Sequence, residues 1–185
     1  MRGCGILDRV VGYAHQWHAA AWSIDTLPAR LGITLASHVP AGGVLGMSVL
    51  SGTDRVILIN DRIIGRRLER AVIGHEVAHL LTGSCGVELC RATGVISDTE
   101  ALAWRGAARL CCSDVQLSAI HRGRASHQDV ADDNQVPRAL IEYADALYGV
   151  FDADTLADTR LRRARAMVNW MRSLQELSEQ LRLAA

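Results

Sequence analysis

Leu68-Glu-Arg-Ala-Val-Ile-Gly-His-Glu-Val-Ala-His-Leu-Leu81 lies in a proline-free run, Ile63 to Thr82, that ends on Gly83. The pattern predicts a helix over that run, with Gly83 as its C-terminal cap. His75 and His79 are four residues apart, so both stand on one face, about 6 Å apart along the axis. Two imidazoles at that spacing can reach one tetrahedral ion. Glu76 lies beside them, placed to take a proton from water rather than to bind the ion.

Upstream of this run the pattern changes period. Ile33 to Val39, Val44 to Leu50 and Arg55 to Asn60 are short and rich in β-branched residues. Pro-Ala-Gly-Gly and Ser-Gly-Thr-Asp separate them, and both are turn signals. Three strands in succession predict an antiparallel meander rather than alternating βαβ units. Residues 7–22 have helical spacing, with Val10, Val11, Ala14 and Trp17 as a buried stripe. His15 and His18 share a face of that helix with no acid or cysteine nearby, which suits incidental histidines.

Downstream, Ser97-Asp98-Thr99-Glu100 opens a helix running to about Cys111, and Ser113-Asp114-Val115-Gln116 opens another. Short helices follow around Gln128 to Asp133 and from Pro137 to about Tyr148, and a long one from Asp154 to Leu183. The fold class is therefore α+β: a small antiparallel three-stranded sheet packed on a helical bundle that contains the histidine helix. Residues 1–152 form the main domain and 153–185 a C-terminal helical extension. A catalytic metal needs a third protein ligand and an open position. Glu100 is the first choice, because an antiparallel helix pair returns its turn to the histidines. Asp98 and Glu88 are the alternatives, and Glu100 has a competing role in completing the capping box with Ser97.

The chain has 185 residues, 49% apolar and 22% charged, with one Phe, so its core must be built mainly from Leu, Ile, Val and Ala. Twenty basic residues, all Arg, balance twenty acidic ones. That balance lacks the basic excess of a nucleic-acid binder. No run approaches a membrane span, and the first eleven residues do not form a signal peptide, so a cytoplasmic location is expected. Cys4, Cys85, Cys90, Cys111 and Cys112 are odd in number, which fits reduced thiols. Cys85, Cys90, Cys111 and Cys112 flank the metal helices, but their spacing fits small apolar packing better than a second zinc site or a redox switch. Arg160, Arg162, Arg163, Arg165 and Arg172 read as the solvated face of the last helix. Trp170 and Met171 on it are large groups to expose, which points to a homodimer through that helix.

Arg55-Val-Ile-Leu-Ile-Asn60, then Arg66-Arg67, the quoted helix, and Glu100-Ala101-Leu102-Ala103-Trp104 together resemble the ImmA/IrrE family of metallopeptidases. The likeness covers roughly residues 30 to 145, with a weaker echo at Val136-Pro137-Arg138-Ala139-Leu140. Where the family's glutamate helix ends in a Leu-Leu-Met-Pro-like string, this chain has Leu110-Cys111-Cys112-Ser113. The resemblance implies a cytoplasmic endopeptidase that cleaves a transcriptional repressor, here a separate protein encoded nearby. It implies one Zn²⁺ held by His75, His79 and Glu100, with Glu76 as the base. Mn²⁺ or another divalent ion suits the same ligands. Tyr143, His121 and Arg138 are candidates for stabilising the oxyanion. The alternative is a catalytically idle zinc-binding relative that serves as a protein- or DNA-binding regulatory module. A third reading is a zinc hydrolase of small peptides.

Overall fold

Four strands form one sheet in the computed structural model, which describes residues 10, 12–14, 16–18, 23–38, 44–83, 87–91, 97–149 and 156–183. They are β1 (Thr34–His38), β2 (Val44–Ser51), β3 (Asp54–Asn60) and β4 (Val87–Arg91), in the order β1-β3-β2-β4. β2 and β3 form the expected hairpin, with Gly52 at its tip in the left-handed region (φ 60°). β1 does not join a meander. It lies on the far side of β3 and runs parallel to it, Thr34 opposite Val56 and His38 opposite Asn60. The sheet is therefore mixed rather than antiparallel. β2 runs antiparallel to β3 and so opposite in direction to β1. β3 is inserted between the two, antiparallel to β2 and parallel to β1. β4 closes the other edge of β2, a fourth strand beside the three expected.

The helices are α1 (helical residues among 10–18), α2 (Leu27–Arg30), α3 (Arg67–Thr82), α4 (Asp98–Cys111), α5 (Asp114–His121), α6 (His127–Asn134), α7 (Arg138–Tyr148) and α8 (Leu156–Leu183). α3 starts later than the sequence pattern predicts, because Asp61–Ile63 forms a separate 3-10 turn capped by the Asn60 side chain. It ends as predicted on Gly83 at φ 75°. α3 crosses the inner face of β2 and β3, where Leu45, Ile57 and Ile59 are buried with Leu68 and Val72. Of the predicted α1 stripe, Val10, Ala14 and Trp17 are buried; Val11 lies outside the described residues.

α3 and α4 are antiparallel and meet along a seam of small side chains. A Cβ on Gly106 would stand 2.6 Å from Ala78 Cβ, and one on Gly74 would meet Cys111 Sγ at 3.3 Å. This close approach brings the first turn of α4 over the middle of α3. Buried Arg109, on the last turn of α4, ties the bundle together: its Nη2 donates to Asp114 Oδ2 at 2.7 Å, its guanidinium lies over the Tyr148 ring, and its carbonyl meets His18 Nε2 at 3.0 Å.

α8 belongs to the same core. Trp170 and Leu174 are wholly buried and Leu181 nearly so, and Met171 is partly buried, so of the two groups behind the homodimer expectation Trp170 is not exposed. Arg160, Arg162, Arg163, Arg165 and Arg172 do lie on the solvated side. Cys111 and Cys112 pack as small apolar groups, and burial pushes both thiols up to about 12. The side chains of Cys85 and Cys90 lie outside the described residues. No helix among those residues is long and apolar enough to cross a membrane.

Candidate metal centre

His75 and His79 project from α3 toward the first turn of α4, and both are wholly buried. Their Nε2 atoms face each other at 3.0 Å. Glu100 completes a triangle: Oε2 lies 3.2 Å from His75 Nε2, and Oε1 lies 3.1 Å from His79 Nε2. Ser97 still caps α4, its hydroxyl accepting from the Glu100 N–H at 3.2 Å. The Glu100 carboxylate, however, turns to the histidines. At Ser113–Gln116 and Ser126–Asp129, by contrast, both halves of the capping box are made. The backbone of Glu100 thus serves the helix and its side chain serves the site.

His75, His79 and Glu100 form a group that could hold a metal ion. Ligand bonds of about 2.0–2.1 Å in a tetrahedron put neighbouring donor atoms roughly 3.3 Å apart, close to the three separations here. Protonation states fit as well. Burial lowers the His75 pKa to about 4 against the pull of Glu100, so the ring is neutral at pH 7. Burial pushes Glu100 up, but the hydrogen bonds from His75 and His79 prevail and hold it at about 2. Neutral imidazole and ionised carboxylate are the forms that ligate.

Both shifts predict the acid behaviour of the metal-free chain. Below about pH 6.5 the unfolded chain protonates His75 while the folded one does not, until about pH 4. Below about pH 4.5 the same imbalance arises at Glu100, down to about pH 2. Stability therefore falls continuously with acid, the His75 part on the order of 3 kcal/mol. Urea unfolding of chelator-treated protein from pH 7 to pH 3 checks this, and His75→Phe should flatten the upper part of the curve. A flat wild-type profile would contradict it.

Glu76, wholly buried, points from α3 toward β2 at Gly46. A Cβ there would stand 2.9 Å from Glu76 Oε1 and 2.5 Å from Val72 Cγ1. A glycine inside a strand marks such a close approach, and the β2–β4 register slips beside it, between Val44 and Gly46. Gly46→Ala is expected to displace Glu76 and leave the three donor atoms in place. If the group binds zinc, zinc uptake should stay near wild type, while any hydrolysis that depends on Glu76 should drop at least tenfold and be partly restored by Val72→Ala in the same chain. Unchanged turnover in a folded Gly46→Ala would show that the glycine does not seat Glu76.

Comparison with protein-family models, curated proteins and solved structures returns no match.

The other candidates lie elsewhere. Asp98 is exposed on the first turn of α4, and Glu88 is on β4 opposite Ser48, its side chain outside the described residues. Tyr143 is buried, with its pKa raised to about 12 by that burial. Arg138 pairs with Glu142 one turn along α7 at 2.7 Å. His121 Nε2 lies 2.9 Å from Asp145 Oδ1, and His127 Nε2 lies 3.2 Å from Oδ2 of the same buried carboxylate, a cluster that links α5, α6 and α7. Sequence reading gave no role at the centre to two residues that shape it. Gly46 signalled itself only as a glycine in a strand. Trp104 was noted for its place after Glu100, and its ring lies against His75 with centroids 4.0 Å apart.

Proposed function

We propose that this chain is a zinc-dependent endopeptidase acting on a protein substrate. The observation that carries the reading is the convergence of two imidazoles and one carboxylate on a single point, with a second carboxylate, Glu76, next to the first histidine in the same helix. Zinc held by His75, His79 and Glu100 would polarise a water molecule and a peptide carbonyl. Glu76 would accept the proton of the attacking water at its carboxylate and return it to the departing amine. The resemblance to the ImmA/IrrE family supports the same reading and adds a substrate class: a transcriptional repressor or similar regulator, encoded near this chain.

The full burial of His75, Glu76 and His79 favours a second reading, an idle relative that holds zinc and binds a partner. Among the four site residues only Glu100 meets solvent, its side chain 23% exposed. Two measurements separate the readings. Elemental analysis should give one zinc per wild-type chain, and much less in Glu100→Ala but not in Asp98→Ala or Glu88→Ala. Cleavage products from candidate repressors or a random peptide pool, sensitive to chelator, then establish the peptidase. Zinc without cleavage points to the binding protein. A chain that takes up no zinc sinks both.

A further inference from the structure

Histidines that bind a metal through one ring nitrogen usually fix the ring by donating from the other nitrogen to a carboxylate or carbonyl. This centre departs from that pattern. Nδ1 of His75 and Nδ1 of His79 are both buried and meet no hydrogen-bond partner among the described residues. Something else must hold the His75 ring with Nε2 toward His79 and Glu100.

An aromatic stack occupies that place. The indole of Trp104, one turn along α4 from Glu100, lies against the His75 ring at 4.0 Å between centroids and a 34° tilt. A ring lying against the imidazole at that distance obstructs its rotation about χ2. Trp104 is backed in turn by Trp170 of α8, edge to face, with centroids 5.0 Å apart and planes at 71°. Both indoles are essentially without solvent exposure. Trp170 Nε1 is buried and meets no acceptor among the described residues, so this indole is held in place by packing alone. The chain from His75 to Trp170 joins α3, α4 and α8, and it ties the metal helix to a residue 95 positions further along the sequence.

We infer that Trp170 is a positioning residue for the metal centre, fixing the ligand His75 through Trp104 in place of the usual hydrogen bond to Nδ1. The inference rests on the reading of His75 as a metal ligand. It makes the C-terminal helix part of the site, so that loosening α8 should weaken metal binding without touching a ligand.

The test uses the full chain and zinc alone, with affinity measured by chelator competition. Trp170→Leu keeps an apolar group in the core but removes the ring edge, and Trp170→Phe keeps a ring. Trp170→Leu is expected to bind zinc about 10- to 100-fold more weakly than wild type, the usual effect of losing a group that orients a metal ligand. Trp170→Phe should stay within about threefold of wild type, and the cobalt-substituted visible spectrum should shift in the Leu variant only. A folded Trp170→Leu with wild-type affinity and spectrum overturns the inference. If Trp170→Leu does not fold, indole N–H resonances decide, with Trp170→Phe supplying the assignment. Zinc loading should move both the Trp104 and the Trp170 signals, and a Trp170 signal that zinc leaves in place overturns the proposal. Failure of the ligand reading looks different, because wild type itself would then take up no zinc.

Discussion

Glu76→Gln is expected to lower peptide cleavage by about 10²–10⁴-fold, the usual contribution of a positioned general base, while the chain keeps its zinc. The amide matches the carboxylate in shape but cannot accept a proton. It takes the place of a side chain that is wholly buried between α3 and β2. The amide fills the same space, so the Gln variant should melt close to the wild-type temperature. Three readouts check this together: zinc per chain, thermal midpoint, and cleavage of whichever protein or peptide wild type cuts. Cleavage within a few-fold of wild type would place the base elsewhere. Loss of zinc would show that Glu76 helps to hold the ion.

The second large effect is structural. Gly106→Leu should destabilise the chain by about 3 kcal/mol or more, at the upper end of what overpacking costs. Even a methyl group at 106 would meet Ala78 Cβ at 2.6 Å and Val10 Cγ1 at 3.2 Å. Ala78 lies between the two histidines on α3, so relief of the clash must push α4 away from the metal helix. Glu100 rides on α4, and the protein that still folds should bind zinc more weakly. Gly74→Ala, on the same seam, is the contrast. Its Cβ would touch Cys111 Sγ at 3.3 Å, a contact that a small shift of the thiol relieves. Alanine also favours the helix by about 1 kcal/mol, so the net change should be small. Equal losses in the two variants, measured by urea unfolding, would argue against a seam that is tightest at Gly106.

What the sequence disclosed follows the range of the interactions involved. The α3 helix, its Gly83 cap, the serine caps of α4 and α5 and the i, i+4 histidine pair are all set by neighbours within a few residues, and all were legible. The choice of Glu100 needed one further idea, the antiparallel return of α4, and the structure brings its carboxylate to the histidines. The sheet order was not legible. Whether β1 lies beside β2 or beyond β3 depends on pairings between distant residues, and Val87–Arg91 is too short to stand out from a loop without its partner β2. Trp170 misled for the same reason. Trp170, Leu174 and Leu181 recur at helical spacing, but only the docked α7–α8 pair shows that the stripe faces inward.

α8 is anchored at the end where helices usually fray. Residues 157 to 165 are exposed at every position but Thr159, whereas Trp170, Leu174 and Leu181 are buried. Amide hydrogen exchange should therefore run backwards along this helix. The turns around 157–165, with little packing to protect them, should exchange through local opening. Those from 170 to 181 should approach the rate of global unfolding. In this chain, slow exchange is expected close to the carboxyl terminus, so removing even the last few turns would cost far more than trimming a tail.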